Sequence, residues 1–396
     1  MKNDKSLLGH LKILDLSRLF PGPYATQMLA DMGAKVIKIE PPGEGDYMRL
    51  MEPLADGESI FFANLNRNKT SLSLDLKTPS GPAVLKRLVA CADVLVESFR
   101  PGVMERLGVG YDILSEVNQR LVYCTISGYG TEGPLSADAG HDLNYLAISG
   151  LLSQLKDDTG HPIVPGIQIA DVGGGALHAV IGILAALTAR GETGRGRRVD
   201  ISMADSLAPW LVYPWSQLQA AGRIPLTSVL GGSYPCYSVY KTGDGKFIAL
   251  AALEAKFWGA FCDRMGYPQW KSLQFAEDPL REEIFVELRR VLMGKTRDEW
   301  AEYLKDADCC ATPVLELDEV ADHPHWRARG LVLPLAGGAR WPGALAPALT
   351  LGGPVTMNSV PELGGDTEDI LKEAGFTEME IDGLIETGTV RQMAKM

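Results

Sequence analysis

Two apolar runs, Leu11–Leu16 (LKILDL) and Lys35–Glu40 (KVIKIE), flank a segment, Tyr24–Met32, whose apolar positions recur at helical spacing. Strands that follow one another through a helix can pair only in parallel, with the crossover lying on one face. Both faces of such a sheet must then be covered. The rhythm continues with predicted strand Ser71–Leu76, helix Gly81–Cys91, and strands Val94–Glu97 and Leu121–Ser127. A helix at Asp142–Leu152 follows, then a Gly-rich turn and helix at Gly173–Ala189, a Gly/Arg loop (Arg190–Arg198) and a strand at Val199–Ser202. The expected fold class is α/β, a large open parallel-sheet domain of Rossmann-like type with a smaller α+β domain. Turn signals at Pro225–Gly232 precede a hairpin-like stretch, Tyr237–Tyr240, Thr-Gly-Asp-Gly and Phe247–Ala251. The boundaries read from this are 1–200 for the large domain, 201–228 for a linker and 229–325 for the small domain. Residues 326–396 return to the large domain through a Pro- and Gly-rich tail beyond Leu331 and an amphipathic helix, Met379–Glu386.

With 396 residues, 46% of them hydrophobic and 22% charged, the composition is that of a soluble globular protein of two or three domains. A net charge of −12 argues against a nucleic-acid partner, while leaving room for a local basic pocket that takes a small phosphorylated ligand. Six scattered cysteines without any CxxC are expected to be reduced thiols of a cytoplasmic protein. The N-terminal stretch lacks the apolar core of a signal peptide. The apolar run Val172–Ala189 contains three glycines and His178, so a buried helix is expected there and no membrane partner. No metal is expected: His323-Pro324-His325 lacks helical spacing and an acidic partner. The FPGPYA turn holds one glycine where a dinucleotide fingerprint needs three, and no P-loop or GxSxG is present.

Three segments carry chemistry. In Gly140-His141-Asp142-Leu143-Asn144-Tyr145, His141 and Asp142 open a helix whose free N–H groups can polarise a ligand oxygen. Equally, Asp142 is a cap and His141 a surface residue. Asp171 precedes Gly173-Gly174-Gly175, which would let a ligand approach a helix N-terminus closely, or it is an N-cap alone. Glu254 follows the apolar run Phe247–Leu253, either solvated at a strand end or orienting a histidine.

These segments, with the opening LKILDLSRLFPGPYATQMLADMGAKVIKIE (11–40), NLNRNKTSLSLDLK (64–77), ESFRPGVMERLG (97–108), IADVGGGALHAVIGILAAL (169–187) and GRGRRVDISMADS (194–206), resemble the family III CoA-transferase superfamily over nearly the whole chain. Within it the resemblance is greatest to its α-methylacyl-CoA racemase branch. The resemblance implies an interlocked homodimer whose large domain binds CoA, an acyl-CoA thioester as substrate, no prosthetic group and a place in lipid metabolism. It puts the nucleophilic or acid–base aspartate at Asp171, the racemase histidine at His141 and its supporting glutamate at Glu254. The Gly-rich GGGGQ-type loop of many transferases is absent, and Phe20 stands where several carry glutamine.

The implied reaction inverts the α-carbon of a 2-methyl-branched acyl-CoA by two-base 1,1-proton transfer through an enolate. The alternative moves CoA between carboxylic acids through an Asp171 acyl anhydride and aspartyl-CoA thioester. By the same resemblance Leu74 and Lys77 fall near the adenosine end of CoA, Phe99, Arg100 and Arg106 near its phosphates, and Tyr145 beside the histidine. The Asp142 N–H is then a donor to the enolate oxygen. Pro41 follows Glu40 where the family often has arginine, with Lys38 or Arg67 as the compensating cation. A shared proton requires Asp171 to be raised toward neutrality by desolvation, whereas a helix start favours its anion.

Overall fold

The computed structural model describes residues 7–55, 57–157, 159–225, 227–330, 332–333, 344–345 and 360–393. Most of the Pro- and Gly-rich stretch beyond Leu331 lies outside the described residues. The chain divides into a large unit, Met1–Val212 with Ala328–Met396, and a small unit, Tyr213–Arg327.

The large unit is built on strands β1 (Lys12–Asp15), β2 (Lys35–Glu40), β3 (Lys69–Leu74), β4 (Val94–Glu97), β5 (Val122–Ser127) and β6 (Arg198–Ser202). The sheet order is a C-terminal strand (Val390–Arg391), then β3, β2, β1, β4, β5, β6. All neighbours are parallel except the first pair. Successive residues feed opposite faces. Ile13, Val36, Val94 and Val122 join one core with α1 (Pro21–Asp31) and the helix Ala170–Thr193. Leu14, Ile37, Leu95 and Tyr123 join another with α2 (Gly81–Ala90) and the C-terminal Ile370, Leu371 and Phe376. The small unit has a three-stranded antiparallel sheet, Ala311–Pro313, Phe247–Ala251 and Tyr237–Lys241, over a core that includes Trp258, Phe261, Leu288 and Trp300.

Several elements depart from expectation for local reasons. α1 starts three residues before the predicted Tyr24: Pro21 and Pro23 occupy its first turn, where no intrahelical N–H is needed. α3 (Asp142–Ile148) stops short of Leu152 because Gly150 adopts φ +83 and turns the backbone away. The predicted Gly-rich turn, Gly173–Gly175, is no turn. The glycines lie inside a π-helical segment, Ala170–Leu177, that continues as an α-helix, His178–Thr193; together they form α4 (Ala170–Thr193). Residues 201–228, read as a linker, include the helices α5 (Met203–Leu207), Ala208–Leu211 and Val212–Ala221, the first capped by Ser202 on the Asp205 N–H.

β3 begins at Lys69, two residues before the predicted start, because that ammonium has partners inside the sheet. It lies 2.9 Å from Asp15 and also donates to Pro23 O, Thr26 Oγ1 and Asn66 Oδ1, and both members of the Asp15–Lys69 pair are fully buried. Removing one partner of a buried ion pair strands the other charge. Lys69→Met is therefore expected to destabilise the chain by about 3–5 kcal/mol, measured by urea denaturation.

Candidate active site

β1, β2 and β3 grow toward one side of the sheet and β4, β5 and β6 toward the other, so the carboxyl ends of β1 and β4 flank a crevice. Open α/β sheets bind ligands at such a point. A cavity of about 520 Å³ opens there. Arg18 and Leu19 line it from the turn after β1, Ser98 to Pro101 from the turn after β4, and Gly128 and Tyr129 from the turn after β5. His141, Asn144, Tyr145 and Asp171 complete the wall.

The β1 turn is held tightly. Ser17 N donates to Asp15 Oδ1 (3.0 Å), Lys38 Nζ donates to Ser17 O (3.0 Å), and Arg18 N donates to Ser98 Oγ (3.1 Å). These bonds flank Leu19, whose φ of +60 costs a branched side chain roughly 1 kcal/mol. After β4, the buried Glu97 accepts from Phe99 N (2.8 Å) and shapes the turn that presents Phe99 and Arg100. Burial pushes the Glu97 carboxyl up to about 7. Arg18 also lies over the Phe99 ring, 5.4 Å from its centroid. Two cations, Arg18 and Arg100, thus face a cavity in a chain of net charge −12.

His141 is the extended N-cap residue of α3, and its N–H donates to Asn144 Oδ1 (3.1 Å). Asp142 and Leu143 follow as the first helical residues, whose N–H groups have no intrahelical acceptor. The buried Tyr145 ring fills the space between Gly128 and Gly140: a Cβ at these positions would lie 2.3 and 2.7 Å from it. Its hydroxyl donates to Gly140 O, and its ring meets Tyr129 edge-on at 5.1 Å. The Tyr145 hydroxyl is pushed up to about 12, chiefly by burial and also by Asp171.

Asp142 does not cap its own helix. Its Oδ1 accepts from Ala170 N (2.6 Å) and Asp171 N (2.9 Å), at the start of α4. Val172 N donates to Gln168 O (3.1 Å). The half-buried Asp171 carboxyl is pushed up to about 7, first by burial and then by Asp142. Nor do the glycines after Asp171 make room for a ligand. A Cβ would lie 2.1 Å from Trp210 at Gly173, 2.6 Å from Met203 O at Gly174 and 2.8 Å from Pro21 at Gly175. They admit α5, its following turn and α1 against α4.

Phe99, Arg100, His141, Tyr145 and Asp171 therefore share one cavity. Three residues expected at CoA do not line this cavity. Leu74 is 2% exposed, in the core with Val390, so its side chain has no free face for adenosine. Lys77 is exposed on the turn after β3, and the Arg106 guanidinium folds back onto Gly102. The two cations expected to compensate for Pro41 are also committed. Lys38 is fully buried against Asp46 (2.9 Å), and Arg67 is paired with Asp31 (2.7 Å). Glu40 is engaged by Arg49 (2.7 Å), which also stacks on Phe62.

In the small unit Glu254 precedes the helix Ala255–Met265 and makes no side-chain capping bond; Gln274 pins the chain before it through Ala252 O (2.9 Å) and Leu253 O (2.7 Å). Among the described residues, no group of three or more His, Cys, Asp or Glu side chains is arranged to hold a metal ion. Sequence reasoning missed Arg18, Ser98 and Tyr129, although each lies in the short turn after a strand that had been located.

Residues 8–367 match the family model described as CoA-transferase family III. The chain is 34% identical over 394 residues to human alpha-methylacyl-CoA racemase, covering 97% of this chain and 99% of that one. It is also 34% identical over 342 residues to acetyl-CoA:oxalate CoA-transferase of Acetobacter aceti, covering 84% and 87%. Among solved structures, a CAIB/BAIF family protein from Brucella suis superposes with a TM-score of 0.80 at 28% identity, covering 92% of this chain and 98% of that one. With the cavity at the strand ends and the match spanning nearly its whole length, the chain belongs to CoA-transferase family III, an enzyme superfamily of racemases and CoA-transferases.

Proposed function

We propose that the chain is an acyl-CoA racemase that inverts the α-carbon of a 2-methyl-branched acyl-CoA thioester. The observation that carries this reading is that Asp171, whose carboxyl burial and Asp142 push up to about 7, lines the same cavity as His141. A covalent nucleophile acts as its anion, whereas a group that both gives and takes a proton works best with its pKa near the ambient pH. The α-proton leaves to the base on one face, and its electron pair forms the carbon–carbon double bond of the enolate. The acid on the other face then returns a proton to the same carbon. Neutral His141 with protonated Asp171 serves one direction; imidazolium with carboxylate serves the reverse. The open N–H of Asp142 stabilises the enolate oxygen, and Arg18 and Arg100 suit the phosphates of CoA. Phe99 and Tyr145 supply apolar wall around the thioester arm.

A single enantiomer of a 2-methylacyl-CoA, incubated with the protein in D₂O without a carboxylic acid, is expected to gain deuterium at the α-position as it loses optical purity. Proton NMR and chiral analysis read both. No exchange, followed by CoA movement to an added carboxylate, makes Asp171 the nucleophile of a CoA-transferase and ends the racemase reading.

Glu254 enters through the family resemblance, as the group that fixes the His141 tautomer. Glu254→Gln is expected to slow exchange roughly a hundredfold with CoA affinity nearly unchanged, a pattern that a CoA-binding role would not give.

A homodimer is part of the same reading. α4 leaves Leu177 and Ile181 outward, the latter 63% exposed, with Trp210 nearby in sequence to α5 and 47% exposed. A second copy of the chain would cover this apolar face. Sedimentation of the purified protein is expected to show a dimer, and Ile181→Asp to shift it toward monomer.

A further inference from the structure

We propose that the Asp142 side chain is a positioning residue: it fastens the start of the Asp171 helix to the start of the His141 helix, and its charge biases Asp171 toward the proton-carrying form. This rests on the acid–base reading of Asp171 given above.

The geometry comes first. Asp142 adjoins His141 in the chain, and its Oδ1 receives the N–H of both Ala170 and Asp171. Charge-assisted bonds of this kind are among the stronger ones in a protein. One carboxylate thereby links the backbone of both proposed proton carriers, so neither helix start can shift without the other.

The electrostatic consequence follows from where those N–H groups go. The first turn of a helix ordinarily favours a nearby anion through its free N–H groups and its dipole. In α4 the Ala170 and Asp171 donors are taken by Asp142, and the Val172 donor by Gln168 O. Asp171 therefore meets the negative charge of Asp142 without the donors that would stabilise its own anion. Burial and Asp142 are the causes that raise its carboxyl to about 7.

His141, Tyr129 and Tyr145 lie on the same wall as Asp171, with Arg18 and Arg100 across the cavity and Tyr47 and Asp138 at its margin. Among the described residues neither arginine forms an ion pair with Asp171. From the helices packed behind the π-helical segment, Pro21, Met203 and Leu207 approach, all uncharged. Within α4, His178 Nδ1 donates to Gly173 O (2.7 Å).

The test titrates Asp171 in full-length protein carrying ¹³C-carboxyl aspartate, with the signal assigned by its loss in Asp171→Asn. Asp142→Asn keeps an acceptor oxygen in place and removes the charge. Its Asp171 midpoint is expected to fall by about one pH unit or more, and the acid limb of α-proton exchange to fall with it. A purely structural cap would leave the midpoint unmoved, and an unmoved midpoint in a folded variant overturns the proposal. Should Asp142→Asn fail to fold, Asp142→Ser, a neutral cap of smaller size, is read in the same way. Because the titration needs no substrate, a midpoint that falls in a protein unable to exchange any α-proton upholds the role of Asp142 and rejects the racemase reading.

Discussion

Asp15, a carboxylate without solvent exposure at the end of the central strand, is the charge around which the cavity side of the sheet is arranged. A buried charge is tolerated only where partners satisfy it. Burial alone would raise this carboxyl, yet Lys69 and Lys38 hold it well below the usual carboxylate range. Lys69 is itself pushed down to about 8 by burial, against the pull of Asp15. Each partner fixes a different piece of chain. Ser17 sets the turn that brings Arg18 and Leu19 to the cavity, while Thr26 and the Lys69 bond to Pro23 O anchor the first turn of α1. Pro21 of that turn is what Gly175 of α4 packs against, so the position of Asp171 traces back to a carboxylate on another element.

Around the proposed proton carriers, shape is set by atoms that are missing. Gly128 and Gly140 leave the slot that Tyr145 fills, and Gly173 to Gly175 let α4 settle onto α5 and α1. The wide π-helical turn carries Asp171 in its first residues, and His178 closes it through the Gly173 carbonyl. Asp142 then joins the two helix starts. The two proposed proton carriers thus sit on helix starts tied to each other, beneath a wall of short turns.

Much of this was legible in the chain. β2 and β4 run over the predicted residues, because continuous apolar runs flanked by turn residues have few other uses in an α/β protein. His141 and Asp171, singled out by their motifs, line one cavity. What stayed hidden depends on partners distant in sequence. Lys69 looked like the approach to a strand until Asp15, 54 residues earlier, was beside it. Lys38 and Arg67 read as spare cations because nothing nearby in the sequence announces Asp46 or Asp31. Leu74 is covered by a strand more than 300 residues later. The competition at Asp171 between desolvation and the helix start was visible, but its outcome turned on which carboxylate received the N–H groups.

The strand Val390–Arg391 lies on β3, with the helices Thr367–Glu373 and Glu378–Glu386 over Leu72 and Leu74. During synthesis these pieces emerge after all the parallel strands of the large unit. Until then the edge of the sheet is open and one apolar face is bare, both of which invite association with other chains. The small unit, by contrast, is complete once Arg327 has emerged. The nascent protein thus has a finished small unit while the large one is still unsealed, and the closing stitch is a strand that follows β3 by more than 300 residues.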